Sequence, residues 1–181
     1  LKELTTKAWK NILSEETYND IVNNNPNKDT NKTAYSYIYK RQNEALQEAF
    51  GNFKANPDKK LQKEFEHFKR ENDFWLDKDS LYEALSVEYN NDYWPLWTSE
   101  TDKNLFNPQS NEERMQFGER IKEIENKYAD VIELYKFTQF VIAKQNEETR
   151  KFAKKHGIKM IADRQVAFSD RDCWAYQSLF L

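Results

Sequence analysis

Cysteine, glycine and proline are scarce in this chain, and each scarcity excludes something. Its 181 residues hold one Cys, three Gly and four Pro. The lone Cys173 rules out an internal disulfide and fits a reducing cytoplasm, so a cytoplasmic location is expected. No His lies near it in sequence, so it reads as a small half-buried side chain and not as a nucleophile. So little Gly and Pro argues against an all-β or loop-rich fold and favours long helices. Long apolar runs are missing too. None approaches the roughly 20 residues of a membrane helix, so no membrane partner is expected. No secretory leader is visible, although the chain begins at Leu1 and not at Met, so this absence decides nothing. No basic block stands out against a net charge of −3, which speaks against nucleic acid as a partner. There is no CxxC, HExxH or Gly-rich phosphate loop, and His67 and His156 have no partner set for a metal. Asn31-Lys32-Thr33 matches a glycosylation sequon, which carries no meaning in a cytosolic protein.

What the chain does have is charge and aromatic rings. Charged residues make up 33% and aromatics 15%, the latter compensating for few aliphatics. Such a length supports a domain with a real core. Helix signals dominate. Thr5-Thr6 is expected to cap a short helix carrying Ala8, Trp9 and Ile12, and Ser14 to start another with Ile21 and Val22. Apolar residues at Ala34, Ile38, Ala45, Leu46, Ala49, Phe50 and Phe53 fall at helical spacing. Asn56-Pro57 is predicted to open the next helix, with Leu61, Phe65 and Phe68 on one face, and Asp79-Ser80 to cap a further one. The stripe Phe65, Phe68 and the pair Phe74-Trp75 are expected in the core. Asn90 to Pro108 reads as irregular and aromatic. Ser110 with Glu113 has capping-box spacing ahead of a helix that either runs on or breaks near Ala129-Asp130. Its end is marked by Lys154, Lys155 and His156, which suit the negative pole of the helix dipole, and by Gly157, which enters the left-handed region cheaply.

Beyond Gly157, the apolar run Ile158 to Ala162 reads as a short strand ending on Asp163. Helix, Gly, strand and terminal acid is the repeat unit of an α/β barrel, whose function sits at that end of the strand. A polar loop follows with Ser169, Asp170, Asp172 and Trp174. Two carboxylates two positions apart can form a metal site or an acid/base pair, but more often they cap the following helix. Trp94, Trp97 and Trp174 can stack on the apolar face of a sugar, although core packing is the commoner use of such rings. Glu112-Glu113 and Glu147-Glu148 read as solvated helix surface.

Three blocks of the chain resemble the 4-α-glucanotransferases, also called amylomaltases or disproportionating enzymes, in the family's own order. The first echo is Tyr39-Lys40 with Ala45-Leu46-Gln47-Glu48-Ala49-Phe50. The second is Phe74-Trp75-Leu76-Asp77 with Leu81-Tyr82-Glu83-Ala84-Leu85, followed by Trp94-Pro95-Leu96-Trp97. The third comprises Gln145, Phe152, Ala153, Gly157, Ile158, Ile161, Asp163, Val166, Ala167, Asp172, Trp174, Ala175, Leu179 and Phe180. The chain departs from the family pattern at Ala162, where Gly is usual, at Gln165-Val166, where Pro-Ile is usual, and at Phe168-Ser169-Asp170.

The resemblance implies a (β/α)8 barrel enzyme that transfers α-1,4-glucan segments between maltooligosaccharides by a retaining mechanism, with no metal or organic cofactor. The family's catalytic carboxylates belong to later barrel strands and match nothing here, so this chain alone is expected to be inactive. The expected fold is predominantly α-helical with a short βα unit, part of a (β/α)8 TIM barrel with its helical insertion. Residues 1–157 would form the insertion-like helical region, and 158–181 the barrel strand with its substrate-side loop. Asp163, Ser169, Asp172 and Trp174 are the expected substrate-binding residues, and maltooligosaccharide or α-1,4-glucan the expected partner. The competing expectation is a non-catalytic helical module that binds glucan or another protein.

Overall fold

A computed structural model of the chain describes residues 1–162 and 167–180. Among the described residues all regular structure is helical. Helices α1 (Glu15–Asn23), α2 (Tyr35–Ala55), α3 (Lys59–Tyr89), α4 (Glu100–Lys103), α5 (Asn111–Lys127), α6 (Ala129–Lys155) and α7 (Asp170–Ala175) are joined by loops and short 3-10 turns. The chain divides into two compact units, Leu1–Phe68 and Lys69–Leu181.

The expected βα unit and barrel part are not seen among the described residues. Among the described residues there is no strand, and Ile158 to Ala162 is irregular. Ile158 and Met160 are each 56% exposed and Ile161 is 95% exposed. The reason is hydrogen bonding. A helix satisfies its backbone internally, whereas a strand needs a neighbour to accept its N–H and C=O groups. No such neighbour exists among the described residues, so the apolar, β-branched run has nothing to pair with.

In the first unit the core is Leu4, Trp9, Ile12, Leu13, Ala45, Ala49, Phe50, Phe53, Leu61 and Phe65. Ala45 and Ala49 bring the backbone of α2 close, while Phe53 meets Phe65 edge to face at 5.6 Å. Two α2 side chains bind the N-terminal turns: Asn52 Nδ2 donates to the Ile12 carbonyl at 2.9 Å, and the Glu48 carboxylate accepts from the Ser14 N–H at 2.8 Å and from the Thr17 hydroxyl. Ser14 caps α1 as expected, its Oγ accepting from Thr17 N. Thr5 and Thr6 do not cap. Their hydroxyls donate back to the Lys2 and Glu3 carbonyls, and Leu1 to Trp9 forms 3-10 turns.

Helix α3 corrects two expected starts. Asn56 ends α2, and Asp58 opens α3 by accepting from the Lys60 and Leu61 N–H groups. Asp79-Ser80 starts nothing, because α3 runs unbroken through it for 31 residues. No Gly or Pro interrupts the run, and the Ser80 hydroxyl donates back to the Asp77 carbonyl at 2.9 Å, a bond compatible with a helix interior. Phe65 is buried, but Phe74 is 69% exposed, and the core position next to it is Leu76.

The second unit packs Leu81, Tyr82, Ala84 and Leu85 of α3 against Trp97, Leu105, Phe117, Ile124, Ile132, Trp174 and Ala175. Between α3 and α5 lies the irregular aromatic stretch foreseen in the sequence, with one 3-10 turn at Trp94–Leu96 and the one-turn helix α4. Ser110 Oγ accepts from Glu113 N, while the Glu113 carboxylate takes the Gln109 N–H. The chain breaks between α5 and α6 at Tyr128. Gly157 lies at φ +68, in the left-handed region its position requires.

Candidate functional site

Helix α7 has only six residues, too short to hold itself together in water, so its surroundings must hold it. Its start is a complete capping box. Asp172 N donates to Ser169 Oγ at 3.1 Å, and Ser169 N donates to Asp172 Oδ2 at 3.2 Å. Asp172 thus places the turn leading out of the loop, and Ser169 stays exposed at its edge.

Trp174 anchors the helix. It is fully buried, and its indole N–H donates to the Asp102 carbonyl at 2.8 Å. Its ring meets Tyr82, Trp97 and Phe106 edge to face, with centroids 5.1–5.7 Å apart. Trp97 is also buried, stacks on Tyr89 and donates to the Asn91 carbonyl at 2.9 Å. Trp94 is half-buried against the same cluster. Edge-to-face packing lets each ring's positive rim meet a neighbour's negative face.

Asp102 lies fully buried beneath this cluster. Arg120 grips it with a two-point fork, Nε to Oδ1 at 2.8 Å and Nη2 to Oδ2 at 2.9 Å, and the Tyr89 hydroxyl donates to Oδ2 at 2.6 Å. Arg120 also reaches Glu88 at 3.1 Å. The hydrogen bonds to Asp102 push the Arg120 guanidinium still further toward its charged form. Burial, followed by the bond to Asp102, raises the Tyr89 phenol.

Cations fasten α7 from opposite directions. Arg171 reaches out from α7: Nη2 donates to Glu83 at 2.9 Å, Nη1 donates to the Tyr135 hydroxyl at 2.7 Å, and Asp79 is 3.9 Å away. Its guanidinium lies over the Tyr82 ring at 5.3 Å and the Tyr135 ring at 5.0 Å. Lys78 reaches in from α3, donating to the Ala175 carbonyl at 3.0 Å and lying over the Phe106 and Tyr176 rings. That carbonyl is at the negative end of α7, where a cation is favoured. Burial lowers the Lys78 ammonium, pushes the Tyr82 phenol up to about 12, and raises the Asp79 carboxyl against the pull of Arg171.

Ser169, Asp172 and Trp174 are therefore brought together on one short element, in unlike roles. Ser169 is open to solvent, Asp172 is half-buried in the cap, and the Trp174 ring is enclosed in this fold. Asp163 lies outside the described residues. Asp170 is exposed, and the described residues contain no group of acids, His and Cys arranged to hold a metal. The exposed ring beside this cap is Phe168, 66% exposed and edge to face with Phe180 at 4.8 Å. A cavity of about 460 Å³ lies elsewhere, along the first turns of α3, lined by Lys59, Lys60, Lys63, Glu64 and His67 with no Phe, Tyr or Trp.

Sequence reasoning missed Arg171, Lys78 and the Asp102–Arg120 pair. No periodicity marks them, since their partners are 18 to 97 positions away. Asp102 offered one hint, an acid within a stretch crowded with aromatic residues.

A family model described as 4-alpha-glucanotransferase matches residues 5–181. The chain belongs to the 4-alpha-glucanotransferase family. It is 28% identical over 148 residues to a 4-alpha-glucanotransferase of Aquifex aeolicus (strain VF5), covering 81% of this chain and 27% of that protein. It is 28% identical over 174 residues to a 4-alpha-glucanotransferase of Clostridium butyricum, covering 95% of this chain and 32% of that protein. The chain thus spans about a third or less of the length of these glucanotransferases. The matched region takes in α7, its cap and the residues that seat it. No described helix is long and apolar enough to cross a membrane.

Proposed function

We propose that this chain is part of an enzyme that transfers α-1,4-glucan segments between maltooligosaccharides with retention of configuration. The observation that carries the reading is the family match from residue 5 to residue 181. Retention requires two carboxylates about 5 Å apart, one as nucleophile and one as acid/base. Around α7, Asp172 is held in the cap, Asp79 and Glu83 face Arg171, Asp102 lies in the fork of Arg120, and Asp170 is exposed. Following the resemblance to the glucanotransferases, we assign the catalytic carboxylates to parts of the enzyme outside these 181 residues.

The contribution of this chain is to meet glucan at the stretch that carries Asp163, Ser169, Asp172 and Trp174. Asp163 and the exposed Ser169 serve sugar hydroxyls. Asp172 holds Ser169 in place, and Trp174 ties the turn to the core. In this reading residues 1–157 form the supporting helical region, and residues 158–181 the substrate-side stretch. No metal or organic cofactor enters, and the free Cys173 accords with a cytoplasmic location.

The test is calorimetric titration of the 181-residue chain with maltohexaose, with cellohexaose as the control for linkage. Binding of maltohexaose alone is expected, together with no disproportionation of maltotriose. Indifference to both sugars, or turnover of maltotriose, would overturn this reading. A second reading, a non-catalytic helical module, draws on the exposed Ile158, Met160, Ile161 and Phe168, an apolar stretch suited to a protein partner. It predicts that the longer gene product containing this stretch also fails to turn over maltotriose.

A further inference from the structure

We propose that Arg171 is the positioning residue of the substrate-side stretch, setting the pose of α7 and so of Ser169 at its cap. The proposal rests on the reading that this stretch meets glucan. Arg171 is the point where α7 is tied to both α3 and α6. On α3 its guanidinium meets Glu83 at 2.9 Å, Asp79 at 3.9 Å and the face of Tyr82. On α6 it meets the hydroxyl and ring of Tyr135. A planar fork between two rings, with an acid at one end and a phenol at the other, fixes orientation as well as attraction. A lysine in its place keeps the charge but not the plane. The Tyr135 hydroxyl donates onward to Asp79 at 3.1 Å, which closes the network across both helices.

This tie matters because α7 is one and a half turns long and cannot fix its own position. Trp174 fixes depth, since its ring is buried and its N–H is bonded. The Lys78 bond to the Ala175 carbonyl holds the C-terminal end of α7, which leaves the N-terminal end with its cap to be fixed. Arg171, in the first turn of α7 three residues before Trp174, holds that N-terminal end against α3 and α6. The Arg171 Nε is buried without a hydrogen-bond partner, so the side chain is placed by its Nη contacts and its rings.

The experiment compares Arg171→Met and Arg171→Lys with the parent chain by amide hydrogen exchange and by maltohexaose titration. In Arg171→Met, exchange at Ser169–Tyr176 should quicken by about tenfold or more, the size expected for losing charge-assisted hydrogen bonds. Exchange at Phe117–Ile124 of α5, in the core of the same unit, should not change, which shows that the fold survives. Maltohexaose affinity should fall by about tenfold. Arg171→Lys should recover part of both losses, a rescue that a mere packing defect would not show. Unchanged exchange at α7 in Arg171→Met overturns the proposal, as does quickened exchange with undiminished affinity. A parent chain that binds no maltohexaose sinks the glucan reading instead, and the exchange result then decides by itself whether Arg171 holds α7.

Discussion

Trp174 is fully buried while Ile161 is 95% exposed, although both are large apolar residues of the same stretch. Around Trp174 the chain is helical, capped by Ser169 and Asp172, and fastened by Arg171 and Lys78. Around Ile161 the backbone is irregular, and Ile158, Met160 and Phe168 stand open as well. Hydrophobicity alone does not decide burial. The helical turn satisfies its backbone internally and has a prepared aromatic seat, whereas the Ile158 to Ala162 run needs a strand beside it and finds none among the described residues.

The sharpest way to break this contrast is to remove the buried ring. Trp174→Ala should destabilise the chain by about 4 kcal/mol, measured by urea unfolding, since it deletes a fully enclosed aromatic and leaves a cavity. A cost near zero would mean that α7 is not seated as described. Next in size is Arg120→Met, expected to cost about 3 kcal/mol because it strands the buried Asp102 carboxylate without its cation.

Smaller effects sharpen the comparison. Ser169→Ala removes the cap of α7 and should cost about 1 kcal/mol, read from the unfolding midpoint together with faster exchange at Asp172 and Cys173. Asp79→Asn probes the charge balance at the seat. Burial raises the Asp79 carboxyl above its ordinary value, so the folded chain holds that proton more tightly than the unfolded chain. Its contribution to stability is therefore present at low pH and is lost as pH rises through the folded-state value. Asp79→Asn should then match the parent in acid and exceed it slightly at neutral pH, by about 1 kcal/mol at most in thermal melts. A variant less stable at neutral pH would show that the ion pair with Arg171 outweighs the burial. Least of all, Ile161→Ser should change stability by under about 0.5 kcal/mol, because the side chain is already in water. A large loss there would erase the contrast.

Much of the helical organisation was legible because its signals are local. Ser14, Ser110 and Gly157 mark helix ends where the sequence places them. The errors arise where local signals compete with continuity or with distant partners. Asp79-Ser80 looks like a cap, but nothing in α3 stops the helix, and Ser80 turns its hydroxyl back on the chain. The Ile158 to Ala162 run has strand composition, yet strand formation is a property of pairs. Of the candidate site, the reading of Asp170 and Asp172 as acids that cap the following helix anticipated the cap, which Asp172 forms with Ser169, and the aromatic density around Trp94 and Trp97 disclosed a packed cluster. What could not be read was the seat itself. Arg171 with Glu83, Lys78 with Ala175 and Trp174 with Asp102 meet across 72 to 97 positions of sequence, and no pattern within one helix encodes such meetings.

We propose that glucan is met at the α7 end of the chain, on a cap held by a buried seat. Amide hydrogen exchange of the parent chain with and without saturating maltohexaose tests it most directly. Exchange at Ala167–Tyr176 should slow with maltohexaose, with no change within Tyr35–Ala55. Slowing confined to Tyr35–Ala55, or no slowing anywhere, would contradict it.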